Sequence, residues 1–219
     1  SHTVAHDLKS PLGGIMMAAE IIVALDKEHL SPKSLEFLQD IQKTALVIKE
    51  IVDSLLLLAK LRDAQEVVSE VDMASVVDSA LTRLKQAIDR RAVHVEVVPD
   101  LPAAMGHAPW LEEVLVNLIG NAVKYIGHDN PDPQVVIRGY RLDDRVRYEV
   151  QDNGLGIAPE HQKRLFEMFS RFHHEEARGS GLGLSIVQRI ITKLGGEVDV
   201  ESAPGKGCTF WFTLPAPPS

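Results

Sequence analysis

A histidine followed by an aspartate, His6-Asp7, lies near the start of the chain in a stretch that predicts a helix. On a helical wheel at about 100° per residue, His6 falls about 150° from the centre of the apolar side, with Ser10 and Met17 also on the opposite side. The imidazole is therefore expected to face solvent. With an unperturbed pKa near ~6.5 it is mostly neutral at pH 7, and a neutral imidazole is a nucleophile that can accept a phosphoryl group.

A second polar group lies much further along the chain, on another predicted helix. Asn117, Asn121, Lys124 and Tyr125 stand at i, i+4, i+7 and i+8, so they share one face. The rest of that helix is apolar. Two amides, an ammonium and a phenol on one face offer oxygen for a hard cation, charge for a phosphate and a ring for a base.

Two glycine-containing stretches complete the candidate chemistry. Asp152, Gly154, Gly156 and Ile157 belong to a turn after a predicted strand, where a carboxylate can accept from an exocyclic amine and glycines let a base lie against the backbone. The stretch 179–184 leads into a predicted helix, whose first amides and positive dipole end would face phosphates. No Gly-Lys-Ser/Thr follows these glycines, so the stretch is not a P-loop.

The elements that carry His6 are two helices predicted within residues 1–64. Ser31 and Pro32 predict the start of the second helix, because serine caps helix N-termini and proline suits the first helical position. Residues 26–30 predict the turn between the helices. Apolar or small residues step by three and four in both helices, at Ala5, Leu8, Leu12, Ile15, Ala19 and Ile22, then at Leu38, Ile41, Ala45, Ile48, Val52, Leu55 and Ala59.

The apolar surface beside these seams is wider than one hairpin can cover. A second copy would cover it in a four-helix bundle, and this homodimer is the favoured prediction. The alternative is that the seams pack on the C-terminal part of the same chain.

Helix-weakening residues cluster close to His6. Pro11 lacks an amide donor and is expected to kink the helix, and Gly13 and Gly14 each cost up to ~1 kcal/mol relative to alanine. The cluster indicates a site that flexes or admits the backbone of a partner, although a tolerated irregularity is the other interpretation.

From residue 65 onward the pattern is mixed α/β. The junction at 62–71 includes a first strand. Helices are predicted at 73–91, 109–125, 159–169 and 182–194, and further strands at 93–98, 134–140, 145–151, 197–201 and 209–214. Residues 215–219 are expected to be a frayed tail.

The overall composition is that of an ordinary globular chain of 219 residues, 45% hydrophobic and 25% charged. A formal charge of −8 argues against nucleic acid as a partner. The single cysteine, Cys208, excludes an internal disulfide and fits a cytoplasmic location. The longest apolar run, 55–59, is far shorter than the ~20 residues that span a bilayer, so no membrane segment is expected.

In their order along the chain, these motifs resemble those of the sensor histidine kinases. Residues 6–12 resemble the phosphoacceptor box, and residues 164–169 resemble the phenylalanine box of the ATP-binding domain. Gyrase, Hsp90 and MutL-type ATPases share the nucleotide site but lack the helical hairpin. The resemblance implies a dimerisation and phosphotransfer domain at 1–64, forming a dimeric four-helix bundle, followed at 65–219 by an α/β sandwich that binds ATP.

The resemblance also implies ATP and Mg²⁺ as ligands. Asn121 would bind Mg²⁺ with Asn117 and Lys124 assisting, Tyr125 would lie against adenine, and Asp152 would bind the adenine amino group. The other implied nucleotide contacts are Gly154, Gly156, Ile157, Gly181, Leu182, Gly183 and Leu184.

A lid at 170–180 would contribute Arg171 and Arg178 to the phosphates, and Thr209 would complete the pocket floor. His173 and His174, in the same lid, suggest either a metal site or, as we favour, two solvated side chains.

By the same resemblance, Nε2 of His6 would take the γ-phosphate of ATP while Asp7 holds the Nδ1 proton. The phosphoryl group would then pass to an aspartate of a response regulator docked near His6, Ser10, Gly13 and Met17. Ser10 stands where many relatives place a threonine or asparagine used in phosphatase activity, and serine lacks the methyl group that limits the rotamers of threonine.

Two other functions remain open at this point. One is a binding module that senses nucleotide or holds a regulator without chemistry, against which the intact His6, Asp7, Asn121 and Asp152 argue. The other is an ATPase that works as a dimeric clamp, which would leave the exposed histidine unexplained.

Overall fold

The structure is a computed structural model that describes residues 2–63, 67–168 and 181–218, with the side chains of 10–61 and of 67 onward in these ranges. Two long helices come first, α1 (His2–Asp26) and α2 (Pro32–Asp63), which pack side by side as a hairpin. The backbone N–H of Ser34 donates to Ser31 Oγ at 3.1 Å. The predicted turn and N-cap are therefore confirmed, and α1 continues through Pro11.

Along the seams of the hairpin, buried and exposed residues alternate from 12 to 22 in α1 and from 41 to 55 in α2. Leu12 and Ala19 in α1 are buried, as are Ala45 and Val52 in α2. The alternate seam positions are 42% to 49% exposed; they are Ile15, Ile22, Ile41, Ile48 and Leu55. The rest of the described chain leaves this exposed row uncovered, contrary to the alternative that the seams pack on the C-terminal part.

The remainder of the chain, residues 67–218, forms an α/β unit. Its main sheet has five strands in the order β2-β4-β5-β7-β6, with β2 parallel to β4 and the other neighbours antiparallel; β1 and β3 pair separately. The elements are β1 (Ser69–Val71), α3 (Met73–Arg91), β2 (His94–Val97), β3 (Ala104–Gly106), α4 (Ala108–Lys124), β4 (Gln134–Leu142), β5 (Arg145–Asp152), α5 (Pro159–Gln162), α6 (Gly183–Lys193), β6 (Val198–Ser202) and β7 (Cys208–Pro215).

Helices α4 and α6 pack on this sheet, and α3 packs on α4. Asp72 caps α3 by accepting from the N–H of Ala74 at 3.1 Å, and Ala92 ends it in the left-handed region. The mixed α/β architecture after a helical hairpin confirms the predicted fold class.

The α/β unit also differs from the sequence prediction in three places. The predicted helix at 159–169 is wrong: α5 ends at Gln162 and is followed by tight turns, such as Leu165 N–H to Gln162 O at 3.3 Å. Strand β3 was not predicted. The expected frayed tail is also wrong near its start, because Ala216 N–H donates to Asp144 O at 2.8 Å.

The end of α2 packs on the α/β unit. Leu58 and Leu61 are buried in the core of that unit, and Lys193 Nζ of α6 donates to the carbonyl of Leu61. A lysine at the last carbonyls of a helix is a favourable C-terminal partner. None of the helices described has the length and apolar character needed to cross a membrane.

Candidate functional site

A small enclosed cavity lies where α4, the 152–157 turn, α6 and β7 meet. Its volume is about 40 Å³, far below the ~300 Å³ or more of a pocket for an organic ligand, so the cavity alone is too small to enclose one. Nine residues line it: Asn121, Tyr125, Asp152, Gly156, Ile157, Leu165, Leu184, Cys208 and Phe210. Six of these nine are site residues predicted from the sequence, and they come from all three motifs.

The polar face of α4 connects directly to the second glycine motif. Asn117 Nδ2 donates to Glu113 O at 2.8 Å, one turn before Asn121. A Cβ built on Gly183 would lie 2.3 Å from Asn117 Oδ1, so a side chain there would displace the amide. Gly183 therefore lets the Asn117 amide keep this position beside the start of α6.

Tyr125 forms the end of the same polar face. It is the C-cap of α4, with its N–H on Asn121 O at 2.9 Å, and its carbonyl accepts from Leu155 N–H at 3.1 Å. Lys124 Nζ lies 5.0 Å from the centre of the Tyr125 ring, within cation–π range. The ammonium group is thus held beside the ring that lines the cavity.

Asp152 is the acidic group of the cavity and is only 6% exposed. The N–H groups of Gly154 and Cys208 both donate to its Oδ1, at 2.9 and 3.2 Å. Burial raises the pKa of Asp152 to about 6, although these two hydrogen bonds act to lower it. The carboxyl group is therefore still mostly ionised at pH 7. Among the described residues its Oδ2 has no hydrogen-bond partner, which leaves that oxygen for a ligand amine.

The turn after Asp152 packs tightly on the hairpin between β6 and β7. Gly156 has a φ of +69°, and a Cβ there would lie 1.9 Å from the carbonyl oxygen of Ala203. Any other residue would push the two loops apart. The side chain of Ile157, which follows, is 9% exposed and faces the cavity.

The start of α6 forms the remaining wall. Leu182 is fully buried and Leu184 lines the cavity. The N-cap of α6, Leu182, supplies no side-chain hydrogen bond to the first amides of this helix. Those amides and the positive end of the helix dipole therefore suit an anion.

Thr209 is not among the lining residues. Side chains alternate along a strand, and in β7 Cys208 and Phe210 face the cavity while Thr209 lies on the other face. The cavity also contains Leu165, from the predicted phenylalanine box. The apolar alternation of positions 208, 210, 212 and 214 was the signal that could have placed Cys208 and Phe210 on one apolar face of this strand.

Several predicted residues fall outside what the structure describes. Arg171 and Arg178, with His173 and His174, lie in the undescribed range 169–180. His6 and Asp7 lie in α1, but their side chains are not described. Elsewhere, in the described ranges, no cluster of three or more His, Cys, Asp or Glu could hold a metal ion.

Comparison with protein families agrees with this arrangement. Residues 1–64 match the model of the His Kinase A (phospho-acceptor) domain, and residues 106–218 match that of the histidine kinase-, DNA gyrase B- and HSP90-like ATPase. The chain belongs to the sensor histidine kinases. It is a transmitter core of the two-component type, which joins the domain that accepts a phosphoryl group on histidine to the domain that binds ATP.

Curated relatives of this kinase core are themselves longer proteins. It is 33% identical to the phytochrome-like protein Cph1 of Synechocystis sp. over 98% of this chain and 28% of that protein. It is 32% identical to the sensor histidine kinase AruS of Pseudomonas aeruginosa over 97% of this chain and 22% of that protein. The chain thus spans about a quarter of the length of these relatives.

Solved histidine kinases share the fold of the kinase core. Full-length ShkA in complex with AMPPNP superposes with a TM-score of 0.72 at 26% identity, over 98% of this chain and 45% of that chain. The mycobacterial sensor histidine kinase MprB superposes with a TM-score of 0.59 at 30% identity, over 70% of this chain and all of that chain.

Proposed function

We propose that this kinase core transfers the γ-phosphoryl group of ATP to His6 and then to an aspartate of a response regulator. The observation that carries the proposal is the cavity that joins Asn121, Tyr125 and Asp152 in a chain whose first 64 residues match a phosphoacceptor domain. Residues 1–64 act as the phosphotransfer and dimerisation domain, and residues 65–219 act as the catalytic domain.

Adenine binds in the cavity end of the site. Its amino group donates to Asp152 Oδ2 and its ring lies against Tyr125, while Gly154, Gly156 and Ile157 provide the wall. ShkA, which shares this fold, was solved in complex with AMPPNP, and this supports a nucleotide as the ligand. The phosphates extend to Gly181, Leu182 and Gly183 at the start of α6, and Arg171 and Arg178 are further candidate contacts.

The residues around α4 fit a magnesium ion bound through the phosphates. Mg²⁺ prefers oxygen ligands and keeps several waters, so one or two protein oxygens are sufficient. Asn121 would supply one such oxygen, with Asn117 and Lys124 beside it. Mg²⁺ would neutralise charge on the phosphate oxygens when it is bound.

The chemistry at His6 needs a neutral imidazole with one free nitrogen. Asp7, the next residue, holds the Nδ1 proton so that Nε2 attacks the γ-phosphorus, the bond to the β-γ bridging oxygen breaks, and ADP leaves. The catalytic domain reaches His6 by moving about the 62–70 junction.

The hairpin pairs with that of a second copy. The exposed row of Ile15, Ile22, Ile41, Ile48 and Leu55 is continuous with a groove between α1 and α2 of about 560 Å³. A helical face this apolar is normally buried. A homodimer through residues 1–64 would bury it in a four-helix bundle.

The response regulator docks on α1 around His6. Ser10 and Gly13 are exposed and Met17 is 62% exposed. A Cβ built on Gly13 would meet no atom within 4 Å, so the hairpin itself does not require glycine there. The absence of a side chain at Gly13 leaves room for the backbone of a docked regulator. We also propose a cytoplasmic location for this part of the protein.

The test is incubation with γ-labelled ATP and Mg²⁺, using His6→Gln and the matched control His29→Gln. His29 is exposed in the turn of the same hairpin. Wild type and the control should carry label that acid removes and base does not, and His6→Gln should carry none. Label that survives acid, or that remains in His6→Gln, would contradict the proposal.

A further inference from the structure

Two side chains behind the cavity hold the backbone of Ile157 from opposite sides. The N–H of Ile157 donates to Ser202 Oγ at 2.8 Å, and its carbonyl accepts from Gln162 Nε2 at 2.9 Å. Gln162 Nε2 also donates to the carbonyl of Ser202, at 2.8 Å. The 152–157 turn, α5 and the end of β6 are thereby joined at one point, which we name the Ile157 bracket (Ser202 and Gln162).

Ser202 also connects to Asp152. Its hydroxyl donates to the carbonyl of Gly207 at 2.7 Å and lies 3.2 Å from Cys208 Sγ. The N–H of Cys208 in turn donates to Asp152 Oδ1 at 3.2 Å. The Ser202 hydroxyl therefore contacts both the turn that carries Ile157 and the start of β7, where the N–H of Cys208 binds the Asp152 carboxyl group.

Neither member of the Ile157 bracket lines the cavity. We propose that Ser202 and Gln162 are positioning residues for nucleotide binding, which act through Ile157 and Asp152 on the adenine base. This inference rests on the proposed function, namely that the cavity receives the base of ATP. Loss of the Ser202 hydroxyl leaves the Ile157 N–H without its partner and loosens the turn against which the base lies.

The experiment compares Ser202→Ala with Ser202→Thr, which keeps the hydroxyl, and with Ser79→Ala on the exposed side of α3 as the matched control. ATP affinity is measured by titration calorimetry, and KM and kcat by autophosphorylation. Ser202→Ala should raise the Kd and the KM for ATP about tenfold. Its kcat at saturating ATP should stay within about twofold of wild type, because the base contacts do not change at the transition state. The other two variants should bind within about twofold of wild type.

Gln162→Glu gives a second arm that keeps the size of the side chain. Its carboxyl oxygen replaces an amide donor that faces two carbonyls, so the Kd for ATP should again rise about tenfold. Because both residues act on Ile157, the double variant should lose less affinity than the product of the two single losses.

Three results would overturn the inference: an unchanged Kd in Ser202→Ala, a lower kcat with unchanged KM, or the same loss in Ser202→Thr as in Ser202→Ala. A merely structural role would give the second of these, together with a smaller folded fraction. A wild-type chain that does not bind ATP overturns the proposed function itself, and the inference with it.

Discussion

The helical hairpin and the α/β unit treat their apolar residues in opposite ways. In the α/β unit the large apolar side chains converge on one core, and among those described only Val67, Val68, Tyr140, Leu142 and Met168 are exposed. In the hairpin, two of the four seam residues described in α1 and three of the seven in α2 are exposed, and Leu25 and Phe37 are exposed as well. A layer of structure needs a second layer on its apolar face. The α/β unit contains both layers, whereas the hairpin contains one.

This difference in burial also distinguishes the two proposed activities, nucleotide binding by the α/β unit and phosphoryl transfer by the hairpin. The proposed nucleotide site lies within the α/β unit, because Asn121, Asp152 and Leu184 line one cavity there without help from another chain. The helix that carries His6 lies in a hairpin with an exposed apolar row, which we propose a second copy covers. Substitutions in the exposed row of the hairpin should therefore affect dimerisation, and substitutions in the cavity of the α/β unit should affect ATP binding.

The largest effect is expected from Ile48→Glu in the exposed row. Two carboxylates, one from each copy, would be buried in the interface, and the dimer dissociation constant should rise on the order of 1,000-fold or more. Sedimentation velocity at micromolar concentration should show a dimer for wild type and a monomer for the variant. ATP binding by the α/β unit should be unchanged.

Gln39→Glu is the matched control, since it adds the same charge to an exposed position of α2 on the side opposite the seam. It should leave the dimer intact. A dimer that persists in Ile48→Glu would show that the exposed row is not the interface.

A smaller effect, on binding, is expected from Asp152→Asn. The amide oxygen can still accept from Gly154 and Cys208, but the charged acceptor for the adenine amino group is lost, so ATP affinity should fall about 100-fold. Removal of a buried charge should also raise the free energy of unfolding at pH 7 by ~1–3 kcal/mol. Calorimetric titration and chemical denaturation measure the two quantities, with the exposed Asp78→Asn as control.

The stability gain in Asp152→Asn should depend on pH. The pKa of Asp152 rises on folding from 3.8 to about 6, so the folded state binds the proton more tightly than the unfolded chain. The contribution of Asp152 to the wild-type free energy of unfolding therefore falls as the pH rises from 3.8 through about 6, and the variant lacks this contribution. If the free energy of unfolding of Asp152→Asn exceeds that of wild type by as much at pH 3.5 as at pH 7, the raised pKa of Asp152 is not the cause of the gain.

The smallest effect is expected where the two regions meet. Lys193→Met removes the hydrogen bond to the Leu61 carbonyl and the ammonium 5.5 Å from the centre of the Trp110 ring. The free energy of unfolding should fall by ~0.5–1.5 kcal/mol, and amide exchange in the last turn of α2 should become faster. Lys206→Met, at an exposed turn, should change neither quantity. Equal exchange in wild type and Lys193→Met would mean that this contact does not hold the helix end.

Local signals accounted for most of the elements. Helix α3 has the predicted bounds because Asp72 caps it and its apolar period is regular, and the turn at Asp143 and Asp144 lies between the strands predicted at 134–140 and 145–151. Strand β3 was missed because three residues carry too little pattern and their pairing with β1 exists only in the folded chain. The helix predicted at 159–169 ends at Gln162, whose side chain bonds to Ile157 and Ser202 in other parts of the fold.

The sequence by itself determined the order of elements and the identity of the three motifs, since both depend on residue type and spacing. Only the tertiary structure decided which face of β7 meets Asp152, so that Cys208 and Phe210 line the cavity and Thr209 does not. It also decided that Gly156 is required by the neighbouring loop at Ala203 and not only by its own conformation, and that Gly183 leaves room for the Asn117 amide. Strand register and close backbone approach depend on residues far apart in the chain, and no local pattern encodes those distances.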